Sequence, residues 1–305
     1  MNKKVRTNGL LAWVLASRPK TLTGAATPVI IGAALAWKFL SEFGGTFSWM
    51  AFLLCLLFAF VMQIDANFVN DYYDYKKGTD REDRLGPERA CAQGWITPTA
   101  MKWGICLATV LSCAVGLPLV LFGGWWLIAV GAICVIFCFL YTTCLSYRGY
   151  GDVLVLLFFG LVPVCLTFYI LAGCFSAASL IMGLACGFAT DCLLMVNNYR
   201  DRHQDAVSGK RTVVVRWGGR TALMLYRWLG LIASCLFYLS CAVVASASSG
   251  VFVLIYLTLH LKSAYLMEKL DGRELNAVLG ATARNIFVFA LVFALSIAST
   301  MLGGF

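Results

Sequence analysis

The sequence predicts an all-α, polytopic membrane protein: one domain over residues 1–305, built as a bundle of about nine transmembrane helices. Three observations carry this reading. The 305-residue chain is 61% hydrophobic and only 13% charged, whereas soluble domains are nearer half apolar and a quarter charged. Its apolar residues fall in runs close to the ~20 that a helix needs to cross a bilayer, where membrane strands would alternate at period two. Finally, two acidic helix ends recur with the same spacing, 130 residues apart (Asn67 and Asn197).

Taken in order, the chain opens with a basic segment, Met1 to Arg6, and a short apolar stretch, Leu10 to Ala16. Ser17-Arg18-Pro19-Lys20 interrupts that stretch before a full span begins, so it reads as an interfacial helix rather than a cleaved signal. Spans are expected near Thr21–Leu40, Phe47–Val69, Thr99–Leu121, Trp125–Leu145, Asp152–Gly173, Ala177–Tyr199, Thr221–Val243, Val251–Glu268 and Ala283–Gly303. The thirteen cysteines lie largely inside these runs, where cysteine behaves as a small hydrophobe. No Cys-x-x-Cys pair occurs, and His203 and His260 are far apart, so the zinc-site pattern is absent.

Charge sets an expected orientation. With the N-terminus inside, Lys76, Lys77, Arg81, Arg84, Arg89, Arg148, Arg200, Arg202, Lys210, Arg211, Arg216, Arg220, Lys269 and Arg273 fall on the cytoplasmic side. The opposite side keeps Lys38, beside Glu42. The net charge of +9 is thereby a property of loops at a membrane surface, with no soluble domain to carry a nucleic-acid groove. The location this predicts is the cytoplasmic (inner) membrane, with both acidic motifs at its inner face.

The acidic motifs carry the chemistry. In Gln63 to Arg84, residues Gln63, Asn67, Asn70, Asp71 and Asp74 fall on one helix face that begins in hydrocarbon and ends in water. Carboxylates there cost at least ~2.5 kcal/mol near the bilayer centre and default to a functional reading. In the second motif, Asn197, Asp201 and Asp205 follow at i, i+4 and i+8. Matching acidic faces in two halves point to a pseudo-repeat meeting in one cavity. Carboxylates facing each other need a cation between them, and Mg²⁺ is commonly held by one or two carboxylates plus phosphate oxygens. The loops after the motifs, Tyr75 to Pro98 and Arg202 to Gly219, exceed the usual two to eight residues and suggest a cap over that cavity. Their Lys77, Arg81 and Lys210 suit a polyanion such as diphosphate.

NDYYDYKKGTDREDRLGPERA with Gln93-Gly94-Trp95-Ile96-Thr97, and NNYRDRHQDAVSGKRTVVVRWG, resemble the UbiA superfamily of intramembrane prenyltransferases, in its menaquinone-pathway branch. The specific motifs cover about 67–98 and 191–218. The resemblance implies a helical bundle that transfers a polyprenyl group from polyprenyl diphosphate to 1,4-dihydroxy-2-naphthoate, with Mg²⁺ as cofactor. It implies metal ligation by Asn67, Asp71 and Asp74 from the first half and Asn197, Asp201 and Asp205 from the second, with Asp71 and Asp201 at the catalytic centre. Two departures concern the acceptor end. The segment after Tyr141 reads Thr142-Thr143-Cys144-Leu145-Ser146 in place of a Gly/Pro-rich one, and Leu145 stands where benzoate-type branches carry a lysine.

Several residues keep two readings. Arg18 and Lys20 suit either diphosphate contact or membrane anchoring. Tyr72, Tyr73 and Tyr199 suit either cation stabilisation or an interfacial belt. Asp65 and Asp191 suit either acceptor binding and deprotonation, for which Asp191 is the catalytic candidate, or polar helix contacts. Tyr141 and Arg148 are the candidates for the acceptor, Arg148 for its carboxylate, and its alternative is an anchor. The rival functions are a transporter, which would need acids near the midplane, a non-catalytic lipid-binding scaffold, which would not require duplicated ligand sets, and a related transferase acting on 4-hydroxybenzoate.

Overall fold

The computed structural model describes residues 5–78 and 84–302, and among them every regular element is helical. Helix α1 (Leu10–Ser17) exposes Leu10, Leu11, Val14 and Leu15 and buries Ala12 and Ala16. Those alanines pack with Ala90, Cys91 and Ile96, so the helix covers one end of the bundle, as the interrupted apolar run predicts. Arg18 then takes a left-handed conformation (φ 50°, ψ 70°), which turns the chain into α2 (Pro19–Phe43) with Pro19 in its first turn. A non-glycine residue there costs about 1–2 kcal/mol.

Helix α3 (Trp49–Lys76) starts at Ser48, whose hydroxyl accepts from the Ala51 amide at 3.3 Å. Its 28 residues span ~42 Å at 1.5 Å per residue, more than the ~30 Å of a hydrocarbon core. Its last turns, which hold the first motif, are therefore long enough to stand clear of the hydrocarbon. The other long helices are α4 (Pro98–Gly123), α5 (Trp126–Leu145), α6 (Gly151–Ala172) and α7 (Ala177–Arg200). Two short helices, α8 (Arg202–Val207) and α9 (Val213–Trp217), lie within the second long loop. They precede α10 (Gly219–Val244), α11 (Ser249–Lys269) and α12 (Gly272–Met301). Nine helices among the described residues are long and apolar enough to cross a membrane.

Helix α7 is the most enclosed of the nine, because small residues let its neighbours approach backbone to backbone. Gly160, in a π-helical turn of α6 (Leu157–Leu161), faces Gly183 and Gly187 of α7. A Cβ on Gly160 would stand 2.5 Å from the Gly183 carbonyl oxygen and 2.6 Å from the Gly187 Cα. This is the small-xxx-small packing that replaces hydrophobic force between membrane helices. The same closeness recurs where α2 crosses α6, with a Cβ on Gly32 falling 2.6 Å from the Val164 carbonyl oxygen.

Expected span boundaries agree with the structure within a few residues except at α3, which runs to Lys76 rather than Val69, and at the last helix. That helix begins at Gly272, about three turns before the expected Ala283, because Arg273, Glu274, Asn276 and Arg284 read as loop in a hydropathy pattern. The early start carries Asn276 to the motif end of the bundle.

Gly160→Ala should force α6 from α7, since only backbone stands in the way. A loss of about 1–3 kcal/mol is expected, read as a lower thermal unfolding midpoint in detergent. An unchanged midpoint would contradict the backbone-contact account.

Candidate active site

Both acidic motifs open into one cavity of about 960 Å³, mouth included, at one end of the bundle. Helix α3 contributes Asn70 and Asp74; the end of α7 contributes Asn197, Asn198 and Asp201; α8 contributes Asp205. Cations come from Arg84, Arg89 and Lys210, while Tyr141 and Asp152 line the wall from α5 and α6. The joint cavity inferred from the repeat is present.

The register of the first motif differs from the expected one. Asn67 Nδ2 donates to the Ser17 carbonyl at 2.9 Å and to Thr21 Oγ1 at 3.0 Å, and Asn67 Oδ1 accepts from Gln63 at 3.3 Å. Asp71 accepts from the backbone amides of Ala90 (2.8 Å) and Cys91 (2.9 Å), one on each oxygen. Both are buried fastenings, Asn67 to the α1–α2 junction and Asp71 to the loop, and neither lines the cavity. Asn70 and Asp74 lie three residues further, a rotation of about 60° around the helix, which turns them inward. The same Asn-x-x-x-Asp step occurs in both registers, so spacing alone did not separate them.

Asp74 is buried and gathers cations. Arg89 Nη2 donates to Asp74 Oδ2 and to Asn70 Oδ1, each at 3.2 Å, and the Tyr147 hydroxyl stands 3.5 Å from Asp74 Oδ1. Lys210, Arg84, Arg18 and Lys77 all act on its charge. Arg18 thus reaches the site electrostatically, whereas Lys20 is exposed. Lys77 Nζ is held by the Thr142 (3.3 Å) and Thr143 (2.8 Å) carbonyls, over the Tyr147 ring at 3.7 Å. It braces α3 against the π-helical end of α5 (Tyr141–Leu145). Burial, with Lys210 adding repulsion, lowers the Lys77 ammonium below its usual range, against the pull of Asp74.

Across the cavity, burial pushes the Asp205 carboxyl up, against the pull of Lys210 at 3.4 Å, while Asp201 and Asp74 add to the rise. Burial opposes the charge on Lys210, but Asp205 and Asp74 together hold it above the ordinary lysine value. The ammonium is the counter-charge shared by the two halves.

Asp201 is organised by Arg200, whose side chain is fully buried. Its guanidinium binds both carboxylate oxygens (Nε to Oδ1 at 2.7 Å, Nη2 to Oδ2 at 2.6 Å), the Asn197 oxygen at 2.6 Å and the Asn276 oxygen at 2.8 Å. Asn276 in turn donates to the Leu85 carbonyl at 2.8 Å. Gly86 lets the loop lie against this group, since a Cβ there would come 2.6 Å from Arg200 Nη2. One arginine therefore joins α7, α12 and the first long loop. It was read only as a positive-inside charge, and nothing in the local sequence couples it to Asn276, 76 positions away.

Other expected residues lie elsewhere. Arg148 is exposed and outside the cavity lining, and its carbonyl accepts from Arg216 at 2.9 Å. The recessed turn at Gly149, which has a positive φ of 88°, leaves Tyr141 and Asp152 inside and the arginine out. Arg81 lies outside the described residues. Tyr72 and Tyr73 pack on each other at 5.2 Å, and Tyr199 lies under Arg202 at 4.4 Å; none lines the cavity. Asp65 accepts from Thr109 at 2.8 Å, a polar contact between α3 and α4. Asp191 is buried on the face of α7 that carries the lining residues Leu194 and Asn198, about one and two turns deeper, and does not itself line the cavity.

Arg200→Lys should lose about 3 kcal/mol of stability, because a buried ammonium cannot reproduce the bidentate fork and leaves the half-buried Asp201 carboxylate short of donors. Thermal unfolding in detergent measures it; a variant as stable as the parent would remove Arg200 from its organising role.

Comparison with known proteins identifies the family and the fold. The UbiA prenyltransferase family matches residues 26–291. The chain is 34% identical over 299 residues to 1,4-dihydroxy-2-naphthoate octaprenyltransferase of Escherichia coli (strain K12), covering 94% of each chain. It is 35% identical over 287 residues to the protein of that name from Mycobacterium tuberculosis, covering 92% of this chain and 95% of the relative. In fold it is similar to a UbiA homolog from Archaeoglobus fulgidus bound to DMAPP and Mg²⁺, with a TM-score of 0.64 at 17% identity, covering 94% and 99% of the two chains. A UbiA homolog from Aeropyrum pernix K1 gives a TM-score of 0.66 at 13% identity, covering 94% and 98%. The chain with two acidic helix ends in one basic-rimmed cavity belongs to the UbiA prenyltransferase family.

Proposed function

We propose that this cavity transfers a polyprenyl group from polyprenyl diphosphate to 1,4-dihydroxy-2-naphthoate, releasing diphosphate and CO₂ and giving demethylmenaquinone. The observation that carries the reading is the meeting of Asp74 and Asp205 across one cavity whose rim holds Arg84, Arg89 and Lys210. The names of relatives at 34–35% identity over nearly the whole chain support the acceptor.

The donor set fits Mg²⁺ held jointly with a substrate. All candidate ligands are oxygens: Asn70 and Asp74 from one half, Asn197, Asn198, Asp201 and Asp205 from the other. Among the described residues no group of three His, Cys, Asp or Glu side chains converges as a complete metal site. That suits an ion bound by one or two carboxylates and completed by phosphate oxygens. When bound, Mg²⁺ neutralises charge on the departing diphosphate.

The residues of the chain do the rest. Arg84, Arg89 and Lys210 hold and orient the diphosphate through charge-assisted hydrogen bonds. Asp74 and Asp205 would hold the substrate-borne ion, and the basic side chains would face the phosphate. Tyr141, in the wall between the diphosphate end and Asp152, offers an aromatic neighbour to positive charge developing on the allylic carbon. The prenyl tail continues into the lipid between apolar helices. With the basic loops inside, the N-terminus and this cavity face the cytoplasm across the inner membrane. A transporter is disfavoured because the paired acids gather at one end of the bundle rather than midway.

Asp74→Asn and Asp205→Asn should each abolish most transfer in the purified protein, and Asp74→Asn should raise the Mg²⁺ needed for half-maximal rate. Asp71→Asn should instead lower the unfolding midpoint and leave that Mg²⁺ requirement unchanged, because Asp71 binds two amides and not the cavity. The reverse pattern would restore the Asn67/Asp71 register.

With wild-type protein, polyprenyl diphosphate and Mg²⁺, CO₂ release should match prenylated product one for one on the naphthoate, with little turnover of 4-hydroxybenzoate. Arg148→Ala should leave the KM for the naphthoate within twofold. Preference for 4-hydroxybenzoate, or a product retaining its carboxyl group, would overturn the assignment of the acceptor.

A further inference from the structure

Beyond the diphosphate end, the cavity wall carries one acid, Asp152, and a second, Asp191, lies just behind the lining. Asp152 lies in the wall, half-buried, at the start of α6. Asp191 of α7 is 6% exposed, and its Oδ1 is sealed from solvent without a hydrogen-bond partner among the described residues. It stands nine residues, about 13 Å along the helix axis, before Arg200. The two carboxylates are within Coulombic reach of each other. Tyr141 faces both from α5, and also feels Asp74 and Asp205 at the opposite end. Cys192 is the other titratable neighbour of Asp191. Among the described residues no ion pair involves either acid. Asp191 shares the face of α7 that carries Leu194 and Asn198 into the cavity, so its unpartnered oxygen lies on the lining side. Nothing in the packing requires them. Gly160, Gly183 and Gly187 let α6 and α7 approach closely, and a Cβ on Gly151 would stand 3.2 Å from Leu194 Cδ2 and 3.9 Å from the Tyr141 hydroxyl oxygen.

We propose that Asp152 and Asp191 are the proton-holding pair of the acceptor subsite, receiving the ring hydroxyl proton of a dihydroxynaphthoate and returning it within one turnover. The proposal rests on the functional reading above. As the ring carbon bearing the carboxylate bonds to the allylic carbon, the allylic C–O bond breaks and its electrons leave with diphosphate. The adjacent ring hydroxyl becomes a ketone, and its proton passes to the ionised member of the pair. As the carboxyl group leaves as CO₂, its bonding electrons restore the aromatic ring and the ketone oxygen takes the proton back. No net proton is consumed, so the pair needs no path to water, and a buried position at the inner wall suits it. Tyr141, between the two ends, places the acceptor ring where its hydroxyl meets the acids and its carboxyl-bearing carbon meets the allylic carbon.

The test compares wild type, Asp152→Asn, Asp191→Asn and the double variant in purified full-length protein with polyprenyl diphosphate, Mg²⁺ and the naphthoate. Each single variant is expected to lower kcat at least tenfold, with the KM for the prenyl diphosphate changed less than twofold. The double variant is expected within about twofold of the slower single one, because one shared proton site is lost only once. The rate of each variant should recover as pH rises towards ionisation of the acceptor's own hydroxyl, a rescue that a merely structural role would not give. Asp152, half-buried at the wall, supplies the variant that keeps the fold, checked by its unfolding midpoint. A folded Asp152→Asn with kcat within twofold of wild type, or one whose loss is flat with pH, overturns the pair. A wild type that does not prenylate the naphthoate at any pH overturns the functional reading, and the failure then appears before any variant is made.

Discussion

Carboxylates at the end of an apolar bundle can be held there only if positive charge is held with them, and that constraint shapes one whole end of this protein. Asp74 is met by Arg89, Lys210 and neighbouring cations, Asp201 by Arg200, and Asp205 by Lys210. Each partner arrives from a different stretch of chain. Neutralising the acids therefore forces the first long loop, the short helices of the second and the start of α12 to converge. Breaking one such buried pair costs about 3–5 kcal/mol, while the intact pair contributes little net stability. The arrangement is better understood as a device for position than as a source of stability.

The same constraint prepares the site for a polyanion. In the function proposed for it, a cavity whose acids are already matched by arginine and lysine would offer its basic side chains to the phosphate and its carboxylates to the accompanying cations. The site is rigidly backed. Asp71 ties its two amides and Asn67 ties the α1–α2 junction, so the turn of α3 that carries Asn70 and Asp74 is fixed on its outer side. Glycine contacts fix α7 against α6 on the other. The residues that point away from the chemistry are those that hold it still.

The cavity is polarised along its length. One end is dense with cations; the other, past Tyr141, has Asp152 in its wall and Asp191 buried behind it, with no ion pair to either among the described residues. A substrate pair consisting of a multiply charged leaving group and a hydroxylated aromatic ring has the same polarity. The recessed turn between α5 and α6, with Gly149 at positive φ and Gly151 close against Tyr141, sets the depth of that second end.

Much of this was legible from the chain alone. Hydropathy and length determined the nine membrane-crossing helices, because the cost of unpaired backbone in lipid leaves few alternatives to a helix. The recurring Asn-x-x-x-Asp step pointed to two helix ends sharing a cavity, Asp74 and Asp205 were read from the faces that continue it, and Lys210 from the basic loop. The register of the first motif was decided only by tertiary structure. Asn67/Asp71 and Asn70/Asp74 have the same spacing, and which pair faces inward depends on the rotation of α3 against α1, α2 and the 90–91 loop. Arg148 and Asp152 were likewise separated by a turn whose depth no periodicity records. Arg200 lay beyond sequence reasoning for a related reason. Its role is a contact with Asn276 in a helix whose polar start reads as loop, and long-range pairing leaves no mark in the residues on either side.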